Sequence, residues 1–163
     1  MTDTGRFQFA EDFVSMFSMV SDLCSIGVDP ILLTKTNNLQ PEISLDIKAF
    51  IYSHLVKTDF LIYAVARKED RKKLRVSSAQ IVGNTSLLSY VANHPIWFIA
   101  SETDNGGMQV EIRSSTYNVQ NVAAHFGGGG HTYAAGFTIK KFSQDALNEL
   151  IDMLTQLARK GAN

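Results

Sequence analysis

With one cysteine, Cys24, in 163 residues, no disulfide can form within this chain, and the reducing cytoplasm is the expected compartment. No apolar run approaches about 18 residues, so no membrane span is expected. The first residues also lack the charged-then-apolar order of a secretion signal. Neither sign of charge prevails: 15 Lys plus Arg face 16 Asp plus Glu, for a formal charge of -1. That balance excludes a broad basic surface coating long nucleic acid, and any anion has to be met locally. Prolines number only three, and each marks a boundary. What the chain has is core-forming material, 45% hydrophobic and 19% charged, so a folded protein of one ordinary domain or two small ones is expected.

From Glu11 to Ile26, Phe13, Val14, Phe17, Val20, Leu23, Cys24 and Ile26 recur at three and four, which predicts an amphipathic helix ended by Gly27. On its apolar side Cys24 reads as a small buried residue, and Met16 and Met19 as core packing. Asp29-Pro30 predicts a capped short helix to about Thr34. Pro41 then opens a helix whose buried side is Ile43, Ile47, Phe50, Ile51 and Leu55, read as a linker. The pattern changes at Asp59–Ala66, a run of strand formers. Arg67 to Arg75 is a charge run that reads as solvated surface, with a nucleic-acid-facing patch as the alternative. Ser77-Ser78 caps a helix with Ile81, Val82, Leu87, Leu88 and Val91, interrupted at Gly83-Asn84 and stopped by Pro95.

Ile96–Ala100 and Met108–Arg113 predict two strands joined by the turn Thr103–Gly107. A helix over Val119–Phe126, a strand over Phe137–Lys140 and a closing helix over Ser143–Lys160 complete the chain. The expected class is α+β, with residues 1–57 a helical part ending in the linker helix and residues 58–163 an α+β domain around a mixed, mainly antiparallel sheet.

The chemistry concentrates in Gly127-Gly128-Gly129-Gly130-His131, followed by Ala134-Ala135-Gly136 and preceded by Arg113-Ser114. Consecutive glycines expose N–H groups without side chains in the way, and can turn them toward one point through positive φ. A histidine after them can donate to a phosphate, and an arginine at a strand end offers a bidentate fork. An apolar helix pattern runs into the glycines and a small-residue strand leaves them, so they belong to a packed domain and not to a flexible linker. His54, His94 and His125 have no partner at metal-ligand spacing, and His125 reads as helix surface.

These residues resemble the signature of the DHH-associated domain of the DHH phosphoesterase family, and Thr2–Phe7 resembles the last metal-binding motif of that family's catalytic domain. Within the family the likeness is to the nano-RNase branch. The resemblance implies hydrolysis of short oligonucleotides or adenosine 3′,5′-bisphosphate (pAp). It further implies that Arg113, Ser114, Gly127, Gly128, Gly129, Gly130 and His131 bind the substrate phosphate. Asp3 would ligate one of two Mn²⁺ ions. Short single-stranded RNA or DNA or a mononucleotide bisphosphate is the implied partner, and a homodimer is compatible with it. The namesake Asp-His-His triplet is absent, for no Asp-His pair occurs anywhere in the chain. The expectation is therefore a C-terminal portion, inactive alone. A cyclic dinucleotide phosphodiesterase of the same family and a noncatalytic nucleotide-binding or nucleic-acid-binding module are the alternatives.

Overall fold

A computed structural model describes residues 12–161. Asp3 and the rest of the Thr2–Phe7 motif lie outside the described residues. The chain divides into two compact units, Met1–Pro41 and Glu42–Asn163.

In the first unit, α1 spans Phe13–Ser25 and α2 spans Pro30–Asn38. Each starts on an aspartate: Asp12 accepts from the Ser15 N–H, and Asp29 from those of Ile31 and Leu32, satisfying donors that a helix start leaves open. Neither helix buries any residue. Cys24 is exposed and Met19 is 63% exposed, contrary to the core positions read for them. The helical period correctly marks one face of α1, but two helices this short cannot enclose a core between them. Among the described residues no single helix is long and apolar enough to cross a membrane.

The second unit holds a six-stranded sheet and five helices. Its elements run α3 (Ile43–Ser53), β1 (Leu55–Lys57), β2 (Leu61–Ala66), α4 (Lys68–Leu74), α5 (Ser78–Val82), a 3-10 turn (Thr85–Leu88), β3 (Ile96–Glu102), β4 (Met108–Ser114), α6 (Gln120–His125), β5 (Gly129–His131), β6 (Ala134–Ile139) and α7 (Gln144–Gly161). The strand order is β1-β2-β3-β4-β6-β5. Only β2 and β3 run parallel, because α4 and α5 carry the chain back between them; the other neighbours are antiparallel. The α+β class with a mixed, mainly antiparallel sheet is thus what the chain adopts.

Alternation along the strands builds two cores. On one face Leu61, Ile96, Phe98, Met108, Val110, Ile112, Ala135 and Phe137 meet Val122 and Ala123 of α6 and Leu147, Leu150, Leu154 and Ala158 of α7. On the other, Ile62, Ala64, Trp97 and Ile99 meet Ile47 and Ile51 of α3, Ile81 and Val82 of α5, and Leu88. Five residues of α5 would not hold a helix alone. Burial of Ile81 and Val82, about 1.5–3 kcal/mol each, outweighs that. Ile47 and Ile51 are 3% and 0% exposed in this second core, so the helix read as a linker packs within the second unit.

The charge run forms α4, and one member is not solvated. Arg71 is 3% exposed; its Nε donates to the Glu102 carbonyl, Nη1 to the Val76 carbonyl and Nη2 to Asp104 Oδ1 at 2.8 Å, fastening the β3–β4 turn. The hydrogen bond and charge of Arg71 hold the Asp104 carboxyl below its ordinary 3.8. A lowered carboxylate contributes stability that is present above its ordinary value and is lost as pH falls through the lowered one. Asp104 is 78% exposed, so screening keeps the contribution small. Urea unfolding from neutral to strongly acidic pH is expected to show Asp104→Asn slightly less stable at neutrality, with a flatter acid limb.

Candidate functional site

The second helical layer ends over β4, and beyond it one sheet face lies open. Strand register decides what stands there. Trp97 is opposite Arg113, Arg113 is opposite Ala134, and Ala134 is opposite His131, so these four form a row across β3, β4, β6 and β5 on one face. The next row is Ile99, Glu111, Gly136 and Gly129. Small residues on β6 therefore floor a shelf between Arg113 on β4 and the exposed His131 on the edge strand. Adjacent strands lie about 4.8 Å apart, which separates the Arg113 and His131 backbones by about 10 Å.

Arg113 is held but not spent. Its Nη1 donates to Glu111 Oε2 at 2.8 Å and to the Ile112 carbonyl at 2.9 Å, leaving Nε and Nη2 without a partner among the described residues. Glu111 was not picked out from sequence, because an acidic residue next to an expected anion site has no local signature. Gly136 makes room for it: a Cβ there would lie 2.9 Å from Glu111 Oε1 and 2.9 Å from the Val110 carbonyl. The His131 ring likewise has no hydrogen-bond partner among the described residues.

The glycines divide their labour. Gly127, with φ of 78°, ends α6: its N–H donates to the Ala124 carbonyl and that of Gly128 to the Ala123 carbonyl, a Schellman pair. Those two N–H groups are engaged in capping, so the picture of four glycines presenting free donors is corrected for them. Gly128 passes against β6, where a Cβ would overlap the Gly136 carbonyl and Phe137. Gly129 and Gly130 are not loop but part of β5. At Gly130, φ is 138° and a Cβ would lie 2.5 Å from the Ala134 carbonyl. The Thr132-Tyr133 tip of this hairpin is fixed by two N–H donors, Ser114 to the Tyr133 carbonyl and Val119 to the Thr132 carbonyl.

Ser114 does not join Arg113. It alternates to the opposite face, 5% exposed, and its hydroxyl accepts from the Thr116 and Tyr117 N–H groups, stapling the turn after β4. His125 pairs with Glu149 of α7 at 2.8 Å, as a helix-surface residue would. His54 bonds the Phe50 carbonyl and stacks on its ring, and His94 bonds the Ala92 carbonyl. Among the described residues no group of three His, Cys, Asp or Glu is arranged to hold a metal ion.

Comparison with known proteins agrees with this architecture. The family described as DHHA1 domain matches residues 59–160. The chain belongs to that family. A protein of Mycoplasma genitalium named bifunctional oligoribonuclease and PAP phosphatase NrnA is 28% identical over 152 residues, covering 92% of this chain and 48% of the relative. A Thermus thermophilus protein of the same name is 30% identical over 159 residues, covering 93% and 46%. The chain thus spans about half the length of the relatives it matches. Among solved structures, an exopolyphosphatase-related protein from Bacteroides fragilis superposes with a TM-score of 0.80 at 24% identity, over 98% of this chain and 47% of that one. The resemblance drawn from the glycine-histidine stretch, and its placement with the nano-RNase branch, are borne out.

The glycine assignments lead to a direct test. Gly128→Ala is expected to cost about 1–3 kcal/mol, as overpacking against backbone does. Gly129→Ala, whose Cβ meets nothing within 4 Å, is expected to cost no more than about 0.5 kcal/mol. Denaturant unfolding of the two variants reads the contrast.

Proposed function

We propose that this chain is the substrate-binding portion of a phosphoesterase acting on short oligonucleotides or pAp, and that its open shelf grips a nucleotide phosphate. The observation that carries this is the row in which Arg113 and His131 face the same side of the sheet across Ala134. A guanidinium with three N–H donors and an imidazole, all without partners among the described residues and separated by a side chain too small to obstruct, suit an oxyanion between them. Glu111 holds the guanidinium in place through the 2.8 Å Nη1–Oε2 bond while offsetting part of its charge. Names carried by the relatives support the substrate class, and the near-neutral balance of charge supports short substrates over long strands.

Metal chemistry is not assigned to the described residues, since none of their groupings fits a metal ion. The two Mn²⁺ ions and the role of Asp3 remain part of the proposal for a longer protein. This chain alone is proposed to bind without hydrolysing.

Calorimetric titration with pAp tests both statements. Arg113→Ala and His131→Ala are each expected to weaken binding about tenfold or more, the scale of a lost charge-assisted hydrogen bond, without lowering the melting temperature appreciably. Incubation of the unmodified chain with Mn²⁺ and pAp is expected to release no phosphate. Unchanged affinity in both variants would overturn the phosphate grip, and turnover would overturn the division of labour.

A further inference from the structure

We propose that Tyr90 is a stacking platform for a nucleobase, set beside the Arg113–His131 phosphate grip and giving the shelf its selectivity for nucleotides over other phosphate esters. The inference deepens the phosphate reading and rests on it.

Tyr90 lies between the 3-10 turn and β3, and it is 65% exposed. Its ring centroid is 6.0 Å from that of Trp97 at an interplanar angle of 51°, so the indole braces one side and the rest of the phenol ring is open. Trp97 is itself the cross-strand partner of Arg113. Side chains directly opposite on antiparallel strands start about 4.5–5.5 Å apart, which sets Trp97, the residue Tyr90 packs on, one strand from Arg113. Trp97, against which Tyr90 packs, and His131 thus stand to either side of Arg113 along the row. An aromatic ring next to a phosphate donor is the arrangement by which single-stranded nucleic acid is held without regard to base sequence.

Two further features set Tyr90 apart from an incidental surface tyrosine. Its φ is 58°, a left-handed conformation that is costly for a bulky residue and persists only where surroundings impose it. The loop carrying it is tied to the strand end that carries Arg113, for the Pro95 carbonyl accepts from the Ser115 N–H at 3.0 Å. In addition, Trp97 is 5% exposed and its indole Nε1–H has no acceptor among the described residues, an unspent donor in the residue that braces the platform. A tyrosine serving only to cover Trp97 would affect stability and not ligand choice.

The test compares adenosine 5′-monophosphate with ribose 5-phosphate, which share the phosphate ester and differ by the base. Both are titrated into the full chain by calorimetry, with emission of Trp97, the only tryptophan, as a second readout. The unmodified chain is expected to prefer the nucleotide. Tyr90→Ala is expected to weaken nucleotide binding about tenfold while leaving ribose 5-phosphate unchanged, and Tyr90→Phe to retain both affinities. Nucleotide affinity unchanged in Tyr90→Ala, an equal loss for both ligands, or no preference in the unmodified chain would each overturn the platform. Arg113→Ala separates the two ideas. If it alters neither ligand, the phosphate grip fails, and the platform is then judged on the nucleotide-to-ribose-phosphate ratio alone.

Discussion

Register along β4 governs both the stability of the second unit and the composition of its open face. Met108, Val110 and Ile112 point into the core shared with α6 and α7, and this obliges Gln109, Glu111 and Arg113 to the opposite side. A slip of one residue would bury a guanidinium and a carboxylate and expose three apolar side chains, so packing free energy locks the position of Arg113. The same pairing continues through β6 to the edge strand, where it places His131 level with Arg113. Placement of the two candidate phosphate donors is thus a by-product of core packing on the other side of the sheet.

Closeness of approach is the second constraint. β6 and the glycine segment run against each other with Gly128 and Gly130 in contacts that admit no Cβ, and Gly136 leaves room for the Glu111 carboxylate. Side chains at these positions would lift the edge strand from the sheet or displace the carboxylate that orients Arg113. The glycines therefore decide where His131 and Glu111 stand. Anchoring of the hairpin tip by the N–H groups of Ser114 and Val119 completes this, tying the edge hairpin to the end of β4 and to the start of α6.

Much of this was legible from local signals. The Asp29 cap, the break at Gly83-Asn84, the β3–β4 hairpin and the closing helix all follow from periodicity and turn chemistry, which depend on neighbouring residues only. His131 was singled out by residue type next to the glycines and Arg113 as an arginine at a strand end, and the structure puts them on one face. Ser114 was included only through the family resemblance, as the residue after Arg113, and turns away, because the period of a strand sends adjacent residues to opposite sides.

The sequence alone determined most of the helices, the β3–β4 hairpin and the chemical character of the candidate site, since helix caps, turn glycines and apolar periods act over a few residues. Tertiary structure alone decided that Gly129–His131 is a strand, for its three exposed residues carry no strand pattern and gain one only by pairing with β6. Long-range packing also assigned α3 to the second core, buried Arg71 out of a charge run, and set Trp97, with Tyr90 against it, opposite Arg113. None of these has a local signature, because each depends on which strand or helix lies opposite, and that choice is made by the free energy of the assembled core.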